Sequence, residues 1–255
     1  MSAGSNKPRR PQVVAHRGAS ETAPENTVAA CHLAWQQGAD AVEVDCRLTQ
    51  DGQIVCIHDE TAARTTGSNL VIAESTSEAL RRLDAGSWKG ARWAGQRIPF
   101  LSEVLATAPA GKRVYVELKS GVEILHPLQA VLHQSGLVPE QTVIIAFSAA
   151  TLKQAGPMFP DRKMLWLTDL RAEKGGGGLV PSPATILATL QNTGADGVDC
   201  RADPALDAAF LNTLRRGRSE VHVWHDGVIP NPELFRELGV DSITNNRVRL
   251  FPSEA

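Results

Sequence analysis

Short runs of β-branched and other apolar residues alternate along this chain with stretches whose apolar positions follow a helical period. Runs of the first kind predict strands, and stretches of the second kind predict amphipathic helices. Val13 to His16 reads as the first strand. Asn26 to Gln37 reads as the helix after it, with Val28, Ala29, Cys31, His32 and Trp35 near helical spacing. Ala41 to Leu48 is the second strand, and the hairpin-type turn Asp51-Gly52 returns Ile54 to Ile57 antiparallel beside it. From Asp59 to Pro99 the chain is polar and broken by Gly67-Ser68-Asn69 and Gly86-Ser87-Trp88, with one short helix over Ser77 to Leu83. Its apolar content looks too thin for a core of its own, so it reads as an insertion after the second strand rather than a second domain. Leu101 to Thr107 resumes as a helix, with Ser102 at or near its N-cap.

The alternation then becomes regular. Strands are expected over Arg113 to Leu118, Thr142 to Phe147, Lys163 to Leu167, Gly197 to Cys200, Val221 to Trp224 and Ser242 to Thr244. Helices are expected over Val122 to Gln134, Ala149 to Ala155, Pro183 to Asn192, Asp207 to Arg215 and Pro232 to Leu238. Repeated strand-then-helix units imply a parallel sheet with crossover helices. Roughly eight such units predict an α/β fold of the (β/α)8 TIM-barrel type. A doubly wound open sheet is the other option, but no G-x-G-x-x-G follows the first strand.

Composition narrows this picture. A chain of 255 residues with 42% hydrophobic residues suits a single barrel, taken here as residues 12–252. Residues 1–11 are polar and basic and are expected to be a disordered leader rather than a signal peptide. No stretch approaches the ~20 apolar residues of a spanning helix, so no integral membrane contact and a cytoplasmic location are expected. A formal charge of −2 gives no bulk attraction to nucleic acid. Cys31, Cys46, Cys56 and Cys200 lack metal-site or disulfide spacing and read as small buried hydrophobes. Nothing in the pattern specifies an oligomeric state.

The candidate chemistry sits at strand ends, where such barrels work. His16 and Arg17 end the first strand. Glu43 and Asp45, two apart, share a face of the second. His58-Asp59 closes the antiparallel return, and Glu117 and Lys119 end the next parallel strand. A lone Glu-x-Asp is usually solvated surface, but this pair is flanked by Val42, Val44 and Cys46. Two charges in a core strand need a cation or a basic group beside them. His32, His126, His133 and His222 read as packed or surface residues, whereas His16 and His58 each end an apolar run and precede a charged residue. Glu117 and Lys119 also fit a simple ion pair. Trp224 and Phe147 fit either core packing or an apolar wall of a pocket. Asp199, on the same rim, is in position to meet a substrate hydroxyl. The Gly175-Gly176-Gly177-Gly178 run fits a lid or a plain flexible linker.

The ordered series His16-Arg17-Gly18, Pro24-Glu25-Asn26-Thr27, Glu43-Val44-Asp45, His58-Asp59 and Glu117-Leu118-Lys119 resembles the motifs of the glycerophosphodiester phosphodiesterases. Leu83-Asp84-Ala85-Gly86-Ser87-Trp88 followed by Arg97-Ile98-Pro99 resembles that family's inserted segment, and the likeness runs from about Val13 to Leu250. The resemblance implies hydrolysis of glycerophosphodiesters, small-molecule substrates, to glycerol 3-phosphate and an alcohol, with one divalent cation, Mg2+ or Ca2+. It implies that Glu43, Asp45 and Glu117 hold the metal and that His16 and His58 are the acid and base. Arg17 and Lys119 would contact the phosphate, and Glu25 and Asn26 would support His16 and the substrate side. In this family the glycerol's own hydroxyl is thought to attack, giving a cyclic phosphate that water opens. The sequence leaves direct attack by water open. Trp224-His225-Asp226-Gly227 departs from the family's Trp-Thr-Val-Asn type segment, while Thr244-Asn245-Asn246 fits its last-strand motif. Lysophospholipid headgroup cleavage on the same scaffold is the enzymatic alternative, and no apolar rim loop argues for it. A non-catalytic phosphodiester-binding barrel is the other.

Overall fold

A computed structural model describes residues 9–173, 178–229 and 231–251 of the protein. The expectation for Gly175 to Gly177 and that for most of the leader fall outside these residues. Eight strands form the barrel: β1 (Gln12–His16), β2 (Ala41–Leu48), β3 (Arg113–Leu118), β4 (Thr142–Ala146), β5 (Lys163–Thr168), β6 (Gly197–Arg201), β7 (Glu220–Trp224) and β8 (Ser242–Asn245). Each pairs in parallel with the next, and β1 pairs with both β2 and β8, which closes the sheet. The expected (β/α)8 barrel is therefore the fold. The ordered chain begins before residue 12: Arg10 pairs with Asp40 at 2.9 Å and Pro11 is buried.

The barrel has two apolar layers. Val14, Ala41, Tyr115, Val143, Ile145, Leu165 and Leu167 fill its interior. Outward residues such as Val42, Val44, Val114 and Val116 pack against the surrounding helices, among them Leu125, Leu128 and Leu132 of Leu125–Gln134. Burial of such side chains stabilises the fold by about 1.5–3 kcal/mol each. The alternation of faces along each strand lets one sequence run serve both layers.

Most element ends lie within a few residues of expectation, and two departures bear on the site. The first helix starts at Val28, not Asn26, because the Thr27 side chain caps it by accepting from the Ala30 amide. Asn26 is instead left-handed, with φ 58°, and its side chain turns into the barrel. Second, strand β4 stops at Ala146, so Phe147 lies on the loop after it.

The segment between β2 and β3 corrects the expectation that it is too apolar-poor for a core. Val55, Ile57, Ala62, Ile72, Leu80, Ala85 and Ile98 form a separate buried cluster beneath it. The antiparallel return, Ile54–Cys56, pairs with β2 as expected. Elements not anticipated include a short helix at Ala63–Thr66, a pairing of Arg171–Ala172 with Leu179–Val180 and 3-10 turns such as Ile72–Glu74 and Ser87–Lys89. Among the described residues no helix is long and apolar enough to cross a membrane.

Candidate active site

A cavity of about 380 Å3 opens at the carboxyl ends of the strands. His16, Arg17, Glu43, His58, Asp59, Arg64, Glu117 and Lys119 line one side of it. Ile145, Phe147, Leu167, Asp199, Trp224, Asp226 and Thr244 line the other. Residues more than 200 positions apart therefore meet as the strand-end argument anticipates.

The H-R-G turn sets up the charged side. Gly18 has φ 77°, and a Cβ there would lie 2.6 Å from the carbonyl carbon of Ala30, so only glycine allows the turn to pack on the first helix. Arg17 is itself left-handed, with φ 57°, an uncommon conformation for a bulky residue. That conformation aims its amide at Glu43 Oε2 (2.9 Å) and its guanidinium at Asp45 Oδ2 (3.0 Å) and Glu25 Oε1 (2.9 Å).

Glu43, Asp45 and Glu117 are buried and each offers an oxygen within 4.8 Å of the others. Burial opposes ionisation of all three. With its carboxylate neighbours it pushes Glu43 well above the usual range, and it pushes Glu117 up to about 7. Asp45 goes the other way, because Arg17 and Lys119 outweigh burial and hold its carboxyl low. Lys119 Nζ lies 2.5 Å from Glu117 Oε1 and 3.2 Å from Asp45 Oδ1. Neither contact meets hydrogen-bond geometry, and Glu43 Oε1, Asp45 Oδ1 and Glu117 Oε1 all lack a hydrogen-bond partner among the described residues. Three buried carboxylates this close could hold a hard dication, which would compete with Lys119 for two of them. Salt bridges and the Arg17 amide join Glu43, Asp45, Glu117, Glu25 and Asp59 with Arg17, Lys119 and Arg64 into one connected network.

The two imidazoles differ in their support. His16 Nδ1 is 2.6 Å from Asn246 Oδ1, and its Nε2 is 4.0 Å from Glu43 Oε2. Burial, with Arg17 adding to it, lowers its pKa to about 4. His58 Nδ1 is 2.6 Å from Asp59 Oδ1. Burial would raise the Asp59 carboxyl, but Arg64 and His58 hold it down to about 2. Arg64 also reaches Glu25 with two bonds, at 2.7 and 2.8 Å.

Glu25 and Asn26 do not support His16 as expected. Glu25 braces Arg17 and Arg64, and Asn26 holds Asp45 through Nδ2 to Oδ2 (2.7 Å) and through its Oδ1, which accepts from the Asp45 amide (3.0 Å). Arg64 and Asn246 were missed as site residues. Arg64 lies in a polar stretch without periodicity, and Asn246 stood only as part of a motif. Phe147 and Trp224 meet edge to face, with centroids 5.9 Å apart, at the cavity wall. Phe147, which lines the cavity, is exposed on the loop after β4, and Val122 and Val228, after β3 and β7, are exposed as well.

Residues 16–250 match the Glycerophosphoryl diester phosphodiesterase family. A glycerophosphodiester phosphodiesterase of Caldanaerobacter subterraneus subsp. tengcongensis is 38% identical over 159 residues, 60% of this chain and 64% of that protein. The matched stretches span between about half and two thirds of the length of the curated relatives. A phosphodiesterase from Oleispira antarctica, solved in complex with the product sn-glycerol-3-phosphate, has a TM-score of 0.81 at 26% identity, covering 92% of this chain and 93% of that one. A glycerophosphodiester phosphodiesterase from Agrobacterium tumefaciens strain C58 has a TM-score of 0.77 at 29% identity, over 94% and 98% of the two chains. The barrel, the convergent strand-end residues and these likenesses agree: this chain belongs to the glycerophosphoryl diester phosphodiesterase family.

Proposed function

We propose that the protein hydrolyses glycerophosphodiesters to glycerol 3-phosphate and an alcohol, with Glu43, Asp45 and Glu117 holding one Mg2+ or Ca2+. The observation that carries this reading is the trio of buried carboxylates, with oxygens within 4.8 Å of one another, set beside two differently supported imidazoles. The bound cation would supply charge neutralisation at the phosphoryl oxygens. Arg17 and Lys119, both lining the cavity, add to that field and orient the diester.

His16 suits the base. Asn246 Oδ1 accepts the proton of Nδ1, which leaves a lone pair on Nε2 for the attacking oxygen. His58 suits the acid. Asp59 accepts from Nδ1 and holds the ring so that Nε2 can give its proton to the departing alcohol. Arg64 fixes Asp59 in that posture. The experiment is a metal-supplemented assay of glycerophosphocholine with detection of glycerol 3-phosphate, and absence of that product refutes the reading.

The exposed Phe147 at the cavity wall favours a second reading, headgroup cleavage of lysophospholipids. Lysophosphatidylcholine in the same assay separates the two: preferred turnover of the lipid would replace the first reading.

A further inference from the structure

The cavity holds a second set of unsatisfied polar atoms, away from the carboxylate trio. Both carboxylate oxygens of Asp199, Nε1 of Trp224 and Oγ1 of Thr244 are buried without a hydrogen-bond partner among the described residues. All three residues line the cavity, and Asp199 is 1% exposed. They come from the adjacent strands β6, β7 and β8. Asp199 pairs in register with His222, and Trp224 with Thr244, so all three project from one face of the sheet into the barrel. Tyr115 and His222, both buried in the barrel interior and 6.4 Å apart edge to face, do not line the cavity, and Tyr115 Oη too lacks a hydrogen-bond partner among the described residues. The apolar side chains of Ile145, Leu167 and Phe147 line the same cavity.

Its chemistry is selective. An ionised carboxylate only accepts and needs a donor, whereas an indole N–H only donates and needs an acceptor. A hydroxyl does both, and Thr244 can act either way. A quaternary ammonium satisfies neither hydrogen-bonding demand, and a primary ammonium leaves Trp224 unmet. A buried carboxylate with no partner costs stability, so the fold keeps it at the expense of robustness.

We propose that Asp199, with Trp224 and Thr244, is the specificity site for the free terminal hydroxyl of the substrate's glycerol half. This rests on the diesterase reading above and adds the part of the substrate that is read. Asp199 is buried, so the group it meets is short and constant, whereas a variable alcohol needs the open mouth. In the Oleispira antarctica relative the retained product is sn-glycerol-3-phosphate, the glycerol half. The apolar wall fits the carbon chain, and Asp199 accepts from its end. An acyl ester at that oxygen removes the donor that Asp199 needs, so the site selects deacylated diesters.

The test compares glycerophosphocholine with the propane-1,2-diol analogue, which lacks only the terminal hydroxyl and keeps its neighbour. The enzymes are wild type, Asp199→Asn and Asp199→Leu. Wild type should prefer the glycerol substrate in kcat/KM by ~10–100-fold, the range for a buried hydrogen bond to a charged group. In Asp199→Leu the preference should fall to about 1–3-fold, through loss on the glycerol substrate and little change on the analogue. Asp199→Asn keeps the volume and carries the test if the leucine variant does not fold; its preference should fall in the same direction. An equal loss on both substrates, or wild-type discrimination in both variants, would overturn the inference and assign Asp199 to structure. No glycerol 3-phosphate from wild type would instead remove the diesterase reading itself.

Discussion

The two arcs of the cavity are built from the same strand geometry and opposite chemistry. The arc from β1 to β3, with the segment inserted before β3, is dense in charge and almost every charge is tied to another. The arc from β4 to β8 carries less charge: Asp226 is tied to Arg201, and Asp199 lacks a hydrogen-bond partner among the described residues. A connected network fixes side chains in one arrangement, as transition-state stabilisation requires. An isolated, unsatisfied group waits for a ligand, as recognition requires. On the proposed function, the reaction belongs to the first arc and reading of the glycerol half to the second.

The largest expected effect breaks the first arc outright. Stripping divalent ions with EDTA should abolish turnover, with recovery on adding Mg2+ or Ca2+; unchanged rates in chelator would dismiss the cation. Replacing either imidazole comes next. His16→Ala and His58→Ala should each cut kcat by ~10²–10⁴-fold with the fold intact. The assignment of acid and base sharpens this: a p-nitrophenyl diester, whose leaving group needs no proton, should restore much of the loss in His58→Ala and none in His16→Ala. Equal behaviour of the two variants on that substrate would erase the distinction drawn from Asn246 and Asp59.

Arg64 is a smaller effect of the same kind. It bonds Asp59 behind His58 and Glu25 behind Arg17, so it joins the acid to the anion-binding side. Arg64→Met should lower kcat on the order of 10–100-fold, the usual cost of losing such a supporting contact. The loss should shrink on the p-nitrophenyl substrate if Arg64 acts through His58. A uniform loss would make it a plain scaffold residue.

The smallest effect lies in the second arc and is read as stability. Burial pushes the Asp199 carboxyl up to about 6, against the opposing pull of His222. The folded state then holds this proton more tightly than the unfolded chain, whose value is near 4. Stability therefore falls as pH rises through about 4 to 6 and stays reduced above it. Asp199→Asn cannot ionise, so its Tm should match wild type near pH 4 and exceed it by about 2–6 °C above pH 7. A variant less stable than wild type at pH 8 would mean that Asp199 has a partner and is not an open site.

The strands were legible because a parallel barrel leaves each strand apolar on both faces, a pattern that survives in sequence. The carboxylate trio and both histidines were legible for a related reason: charged residues that end apolar runs stand out. What stayed hidden was the support. Arg64 sits in an insertion whose small core is assembled from scattered positions such as Ile72, Leu80 and Ile98, with no period to reveal it. Asn26 looked like the start of a helix, and only its left-handed backbone turns it toward Asp45. The pairing of Asn246 with His16 depends on β8 lying beside β1, a closure that no local pattern encodes. Asp199 carried a weak signal because an acid in an apolar strand has many explanations until its lack of a partner is seen.

Binding of a divalent ion to the chelator-stripped protein, followed by titration calorimetry, tests the central claim most directly. The account predicts one Mg2+ or Ca2+ per chain, with binding lost in Asp45→Asn and in Glu117→Gln and retained in Asp199→Asn. Wild-type protein that takes up no divalent ion, or that binds one equally well in all three variants, would contradict it.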